Sequence, residues 1–550
     1  MSAARPPEGD QLPLGGTARS AKGAPMSTSL YKALVLNEWR LRSRRLSSLV
    51  ILLAVVGISW LMVLDPSSGA AMMVVKKQRI AYESQALAFA TNLIASLLFG
   101  LAGFYLARGR TQEDLRCGTA GVLAATPVGS AQLLGARWLG AFGFLFSLGT
   151  VVMLTVWVLQ LVRGEGPLQP LPYLQMLVLG LAPGLMLCAS LAVLADAWLP
   201  LMGKRGDVLY WVLWMVQFAF IPATLGQGAV QLSGWQVFDV NGVSPLLVGV
   251  SRLMDVSHIS VGGSPFDASL PILHMPGGLW TSELVALRVG AMLVALLPLV
   301  PAVMLFHRYA PDRIKLRNPN GRWRLVQALQ WLLRPLLKPF TLALALLLSV
   351  SARLPGLPGR WLADVALLLL SQPLLALAML AGCVACAVVP AELLPGLLAG
   401  TLCAWGLAVS DVSSRDLQSG TLALASAAPG GALERGWRQA LAAFGLGLVL
   451  VLPGLLRGWS AAPMLALACV AGLFFLSVAA TWLGRLTQGS RTFLALFLFA
   501  LYLDLQKVGV PALDLLGLSG AASGASVAGY ALAGALGFAA LLAAQRLRRT

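Results

Sequence analysis

Two stretches of this chain place the same polar residues at the same spacing. They are DLRCGTAGVLAATPVGSAQLLGARWLGAFG at 114–143 and DLQSGTLALASAAPGGALERGWRQALAAFG at 416–445. Aligned without a gap, they agree at 11 of 30 positions. The matches include Asp114 with Asp416, Gly118 with Gly420, Thr119 with Thr421, Pro127 with Pro429 and Phe142 with Phe444. The chemistry open to such a set is recognition, not bond making. An Asp accepts backbone N–H groups at a helix start and suits the dipole there. The Pro that follows in each copy disfavours helix at the residue before it and so marks the end. Between them, GTAGVLAAT and GTLALASAA offer about three helical turns of small and apolar residues. The spacing therefore predicts a short helix in each copy, seated in a groove of a soluble partner and passing force to the segments on either side. The plain alternative is a pair of turns that only reverse the chain. Duplication favours docking, because a partner with two equivalent grooves needs two equivalent helices.

Residues for catalysis are sparse. The histidines are His258, His274 and His307, and no H-E-x-x-H is present. No phosphate-cradling G-x-x-x-x-G-K-[ST] occurs, and Gly203-Lys204 is followed by Arg205. Cys383 and Cys386 form a C-x-x-C inside an apolar stretch, which reads as packing before redox or metal chemistry. The other four cysteines are scattered and imply no disulfide framework. His258 and His274, with Met254 and Met275 nearby, are a soft-metal candidate weighed against ordinary loop residues. Asp196, Glu283, Arg288, Glu392, Arg485 and Asp504 lie in or near apolar stretches and are candidates for a pathway. Arg288 is the deepest, and Glu283 is too far round a helix to pair with it simply.

The elements that must position these residues are membrane helices. Hydrophobic residues are 58% of the 550 and charged residues 11%, against about 25% in soluble domains. The net charge of +18 gathers at the ends of apolar stretches, and no basic, aromatic-interleaved nucleic-acid motif appears. Stretches long enough to span fall near 47–65, 86–107, 138–162, 173–196, 208–226 and 284–306. A second set falls near 366–389, 391–409, 437–456, 462–484, 490–505 and 526–544. The run 339–352 is too short to cross and reads as an interfacial helix. Amphipathic stretches at 29–45 and 323–338 read as helices on the membrane surface. The fold class is an all-α integral membrane protein, about 12 transmembrane helices forming two parallel-repeat six-helix bundles. The domains are a disordered tail at 1–27, with Met26 a candidate start, a first six-span unit at 28–306, a linker at 307–362 and a second six-span unit at 363–550.

Lys and Arg set the orientation. Arg40, Arg42, Arg44 and Arg45, the cluster Arg308 to Lys338, and Arg546, Arg548 and Arg549 all read as cytoplasmic. Both termini and both repeated loops then face the cytoplasm. Lys76, Lys77 and Arg79 fall on the outer side against this rule. The long outer segment 227–283 reads as an ordered cap or as re-entrant helices, and its sequence leaves both open.

A span, then a cytoplasmic D/E-x-x-x-G-T…L-x-x-x-P loop, then a span opening near Arg-Trp, resembles the type 2 permease family of ATP-binding-cassette (ABC) transporters. Here the carriers are Asp114, Gly118, Thr119, Leu123, Pro127, Arg137 and Trp138. The second copy offers Asp416, Gly420, Thr421, Pro429, Trp437 and Arg438, with Ala425 in place of the Leu and the Arg/Trp pair shifted by one. The resemblance implies an exporter-type permease of the bacterial inner membrane, two permease units fused in one chain. It also implies that each loop is the coupling helix, seated on a separate ATP-binding-cassette ATPase, two copies in all. ATP and Mg would be held by that partner, and this chain would bind no cofactor and no metal. Membrane lipid and an unidentified substrate complete the expected partners, with nucleic acid excluded. Two rival classes are an ion-gradient-driven secondary transporter and a non-transporting membrane scaffold.

Overall fold

In a bilayer every backbone N–H must pair inside its own segment, so apolar stretches of this length become helices. The computed structural model describes residues 28–44, 46–126, 128–202, 204–217, 232–256, 259–306, 334–390, 393–418, 421, 431–459, 462–487, 489–505 and 511–547. Pro127, His258, His307, Glu392, Gly420 and Pro429 lie outside the described residues, as do the tail 1–27 and the segment 307–333.

The first half opens with Thr28–Ser43 (α1) and the apolar Leu46–Met62 (α2), then a hairpin of Ala70–Val75 (β1) and Gln78–Arg79 (β2). Ser84–Ala107 (α3) follows, with the short helices Arg110–Arg116 (α4) and Thr119–Ala125 (α5) after it. Next come Ser130–Arg163 (α6), Pro170–Ala197 (α7) with a π-helical turn at Met176–Leu181, and Lys204–Gln217 (α8). Val243–Met254 (α9), Ser260–Pro265 (β3) and Ser282–Leu305 (α10) close this half.

The second half holds Arg334–Arg353 (α11), Gly356–Ser371 (α12), Pro373–Val388 (α13), Leu394–Val409 (α14) and Arg415–Gln418 (α15). Gly431–Gly458 (α16), Pro463–Thr487 (α17), Arg491–Leu505 (α18) and Gly524–Leu547 (α19) complete it. Among the described residues, 7 helices are long and apolar enough to cross a membrane, or 8 if the pair α12 and α13, bent by 106°, counts as one span. The bend shortens the span expected near 366–389 to α13 and leaves α12 as a helix of its own.

Packing partners recur in order. The long helix α6 touches α1, α2, α3 and α7, and α10 lies on α7. In the second half α16 touches α12, α13, α14 and α17, and α19 lies on α17. By these partners α12 stands to α16 as α1 stands to α6, and most of the stretch expected at 323–338 lies outside the described residues. The two halves meet where α18 packs on α3. There Trp214 of α8 meets Tyr502 of α18 edge-on, ring centroids 4.9 Å apart. The window of α3 is 78% buried while that of α19 is 11% buried, so α3 is central and α19 faces the surroundings.

Close helix contact in a membrane relies on small residues, because apolar burial does not drive it there. The ring of Phe497 on α18 lies where a Cβ on Gly406 of α14 would stand. A Gly406→Ala substitution should therefore cost about 1–3 kcal/mol through overpacking, read as a lowered melting temperature of the purified chain. An unchanged melting temperature would show that α18 gives way at no cost.

The chain is mostly helical, but the all-α expectation needs one correction. Strand β1 pairs antiparallel with β2 and with β3, giving the order β2-β1-β3. Lys76 and Lys77 form the hairpin turn at positive φ, 48° and 66°. This sheet lies at the Ser84 end of α3, and α4 at the Ala107 end, roughly 35 Å apart at 1.5 Å per residue. The three basic residues that opposed the orientation rule thus sit on a folded hairpin at the opposite end of α3 from α4. Arg79 is held there by Glu165 at 2.7 Å.

Candidate functional site

At the Ala107 end of α3 the chain must turn twice before α6 can begin, and the turn is built on ions. Asp114 is 1% exposed. Its carboxylate meets Arg137 of α6 and, at 3.1 Å, Arg110 of its own helix. It also accepts the Thr119 hydroxyl at 3.2 Å. Glu38 of α1 pairs with Arg42 at 2.7 Å and Arg110 at 3.1 Å, and lies 3.9 Å from Arg137. Arg42 continues to the Ala107 carbonyl at 3.3 Å. Asp196, at the end of α7, accepts the backbone N–H groups of Gly109 and Arg110, both at 2.8 Å. Arg108 lies 3.6 Å from Asp196 and pairs with Asp207 of α8. One network thus ties α1, α3, α4, α6, α7 and α8. Among the described residues, Arg42, Arg108, Arg110 and Arg137 meet Glu38, Asp114, Asp196 and Asp207, and Arg110 also pairs with the more exposed Glu113 at 3.2 Å.

The structure corrects the expected role of Asp114. It is not an N-cap. The anticipated three-turn helix is split into α4 and α5 by Cys117 and Gly118, and the cap of α5 is Gly118 at φ 73° with no side-chain bond. The Asp114 carboxylate is directed to Arg110 and Arg137 and accepts the Thr119 hydroxyl. Thr119 does stand beside it, as the repeated motif suggested. Ala120 of α5 is buried against Leu133, Leu134, Val193, Ala197, Ala302 and Phe306. The opposite side of α5 is open: Val122 is 69% exposed and Cys117 is exposed.

The second copy repeats the plan in weaker form. Asp416 lies inside α15, again not at a cap, and pairs with Arg435 of α16 at 2.6 Å. Arg435 aligns with Leu133, one helical turn before Arg137. Here the pair is about one-third exposed, 32% and 29%. Thr421 donates its backbone N–H to the Asp416 carbonyl at 2.9 Å. Arg438 reaches Asp364 of α12 at 2.5 Å, as Arg137 reaches toward Glu38 of α1.

Burial alone would raise the Glu38 pKa, but Arg42, Arg110 and Arg137 together outweigh it and hold it below the ordinary 4.5. A depressed folded value means that the stabilisation is complete above pH 4.5 and is lost as pH falls through the lowered value. Glu38→Gln should therefore flatten the acid limb of the pH–melting curve. An acid limb identical to the parent would remove Glu38 from the account.

Other candidates scatter. Arg288 is fully buried and donates to four backbone carbonyls, those of Leu179 at 2.9 Å, Gly180 at 2.8 Å, Asp239 at 3.1 Å and Val240 at 3.0 Å. Glu283 instead pairs with Arg252 at 3.3 Å. Asp504 accepts the backbone N–H groups of Leu515 and Leu516, and the Arg485 guanidinium lies over Gly436. His274 meets Glu83 at 2.7 Å. Sequence reasoning missed Glu38, Arg108, Arg110, Asp207, Asp364 and Arg435. The one local signal was Glu38 and Arg42, four apart on a helix that turns Leu30, Leu36 and Leu41 outward.

With its series of long apolar helices, this is a multi-pass membrane protein. Comparison with protein-family models, with curated proteins and with solved structures finds no match to the chain.

Proposed function

We propose that this chain is the membrane-spanning permease subunit of an ABC exporter, working with two copies of a separate ATPase. In this reading the protein has about 12 spans in two like-oriented six-helix units, sits in a bacterial inner membrane and keeps both termini in the cytoplasm. The observation that carries it is the twice-used tie from a loop Asp to an Arg of the following long helix, Asp114 with Arg137 and Asp416 with Arg435. Recurring helix partners around α6 and α16 support the same reading. Each loop is then a foot on which an ATPase presses, and each tie passes the displacement into a long helix. The first foot is anchored most firmly, because its ions also hold α1, α7 and α8.

Asp114 is a structural residue, so docking is better tested on the open face of α5. Val122→Glu puts a charge on a side chain that touches little of this protein. The variant should keep its melting temperature and lose affinity for the co-expressed ATPase by about tenfold or more, the scale of an interface hot spot. Undiminished co-purification would remove the open face of α5 as the docking surface, and transport in vesicles without ATP would favour the ion-driven rival instead.

A further inference from the structure

Most hydroxyls inside the described helices donate to a backbone carbonyl one turn back, three residues back for Ser147, Ser349, Ser351 and Ser371. Ser59, Thr150, Thr155, Ser190, Thr401, Ser477 and Thr481 each donate to the carbonyl four residues back. Thr91 and Ser96 of α3 do not, and have no hydrogen-bond partner. Asn92 between them lacks partners for both its amide oxygen and its amide nitrogen. All three are buried, at 0%, 3% and 0% exposure for Thr91, Ser96 and Asn92. A buried polar group without a partner loses its hydration and gains nothing in return, so this packing concentrates that cost on about a turn and a half of one helix.

The surroundings say where relief can come from. Asn92, Ser96 and Gly100 line one face of α3, and Gly180, Gly184 and Cys188 line the facing side of α7. A Cβ on Gly180 would stand 2.6 Å from the Asn92 oxygen, and one on Gly184 would stand 2.9 Å from the Asn241 oxygen. The seam runs down to a cavity bordered by Cys188, Tyr210, Trp214, Gln217 and Asn241, with about 10 Å³ open to a water centre. That is close to the least space one water needs. Gly180 also belongs to the π-helical turn of α7. A π turn differs from an α turn by one residue, and passing that residue along rotates the flanking face by about 100°.

We propose that the seam between α3 and α7 is a polar binding site that opens when α7 turns Gly180 away, admitting water or another uncharged hydrogen-bonding group to Thr91, Asn92 and Ser96. The orphan groups are an amide and two hydroxyls, which offer both donors and acceptors and no charge. In the closed packing the Arg288 fork holds four carbonyls, two of them at Leu179 and Gly180 on the π turn, so turning Gly180 away also gives up those two bonds. The site stands on the first half alone and does not depend on what drives the protein.

Two measurements on the full-length purified chain test it. In the first, Ser96→Cys is exposed to methyl methanethiosulfonate and modification is read peptide by peptide. The thiolate attacks the sulfenyl sulfur of the reagent, forming a methyl disulfide and expelling methanesulfinate, and thiolate forms where water reaches the sulfur. The introduced thiol should react at least about tenfold faster than Cys469, a fully buried native thiol of α17. A rate equal to that of Cys469 overturns the site. In the second, Asn92→Leu replaces the orphan amide by an apolar group of similar size. It should raise the melting temperature by about 1–3 °C, because it removes an unpaired group from the closed packing. An unchanged or lower melting temperature means that Asn92 has partners, and overturns the site whatever the labelling gives.

Discussion

Asp114→Asn should destabilise the folded chain by about 3–5 kcal/mol, the cost of breaking a buried ion pair and leaving its cation uncompensated. The pair with Arg137 is sealed, at 1% and 3% side-chain exposure. Losing one negative charge leaves Arg110 and Arg137 without the carboxylate that lies between them. Asp416→Asn is the natural control. Its partner Arg435 and the carboxylate itself are about one-third exposed, so water screens the pair and the loss should stay within about 1 kcal/mol. Melting temperatures of the two single variants should thus differ widely although the residues occupy equivalent positions in the repeat. A combined Asp114→Leu and Arg137→Met variant should recover part of the loss, because it removes both charges together. Equal losses for Asp114→Asn and Asp416→Asn would mean that the first network is not the anchor described here.

Arg288→Lys should be nearly as damaging as Arg288→Met. The guanidinium reaches Leu179 and Gly180 on the π-helical turn of α7 and Asp239 and Val240 in the segment before α9. A planar fork can hold two pairs of carbonyls at once, whereas an ammonium is a point donor on a flexible stem. Gly242 fits around the fork at φ 77°, and the guanidinium fills the place of its Cβ. Without it, four carbonyls lose a charge-assisted donor inside a membrane protein, at about 1–3 kcal/mol for each left unpaired. The segment from residue 232 onward should then detach from α7. Trypsin reports this directly, since Arg252 is 40% exposed on α9 and Arg288 anchors that region from below. Cleavage after Arg252 should accelerate in both variants while the helices stay intact. Protection equal to the parent would show that the segment is held by apolar packing alone.

Much of the helical plan was legible because charge-free apolar runs leave few alternatives. The stretch read near 138–162 is the middle of α6, and that near 173–196 is nearly all of α7. The sheet was not legible. Strand β3 reads SVGGSP, and its partner β1 lies about 190 residues earlier, so no local pattern announces the pairing. The same limit governs the site. The repeat drew attention to Asp114, but local spacing made it a helix cap. Its true partner Arg137 lies a helix away, and Glu38 stands on the far side of two elements. The counterpart of α1 was hidden for a different reason. Helix α12 carries Arg360, Trp361 and Asp364 directly before an apolar run, and only the 106° bend separates the two.

The central claim is that both repeated loops lie on the same, cytoplasmic face. Cys117 is exposed beside α5, and Thr421 is exposed in the second loop, so each can report its side. The measurement is maleimide labelling of Cys117, and of Thr421→Cys in a Cys117→Ser background, with an impermeant reagent in vesicles of known orientation. Both thiols should label in inside-out vesicles and stay protected in right-side-out ones. Labelling of the two from opposite sides would contradict the parallel arrangement and the shared role of the loops with it.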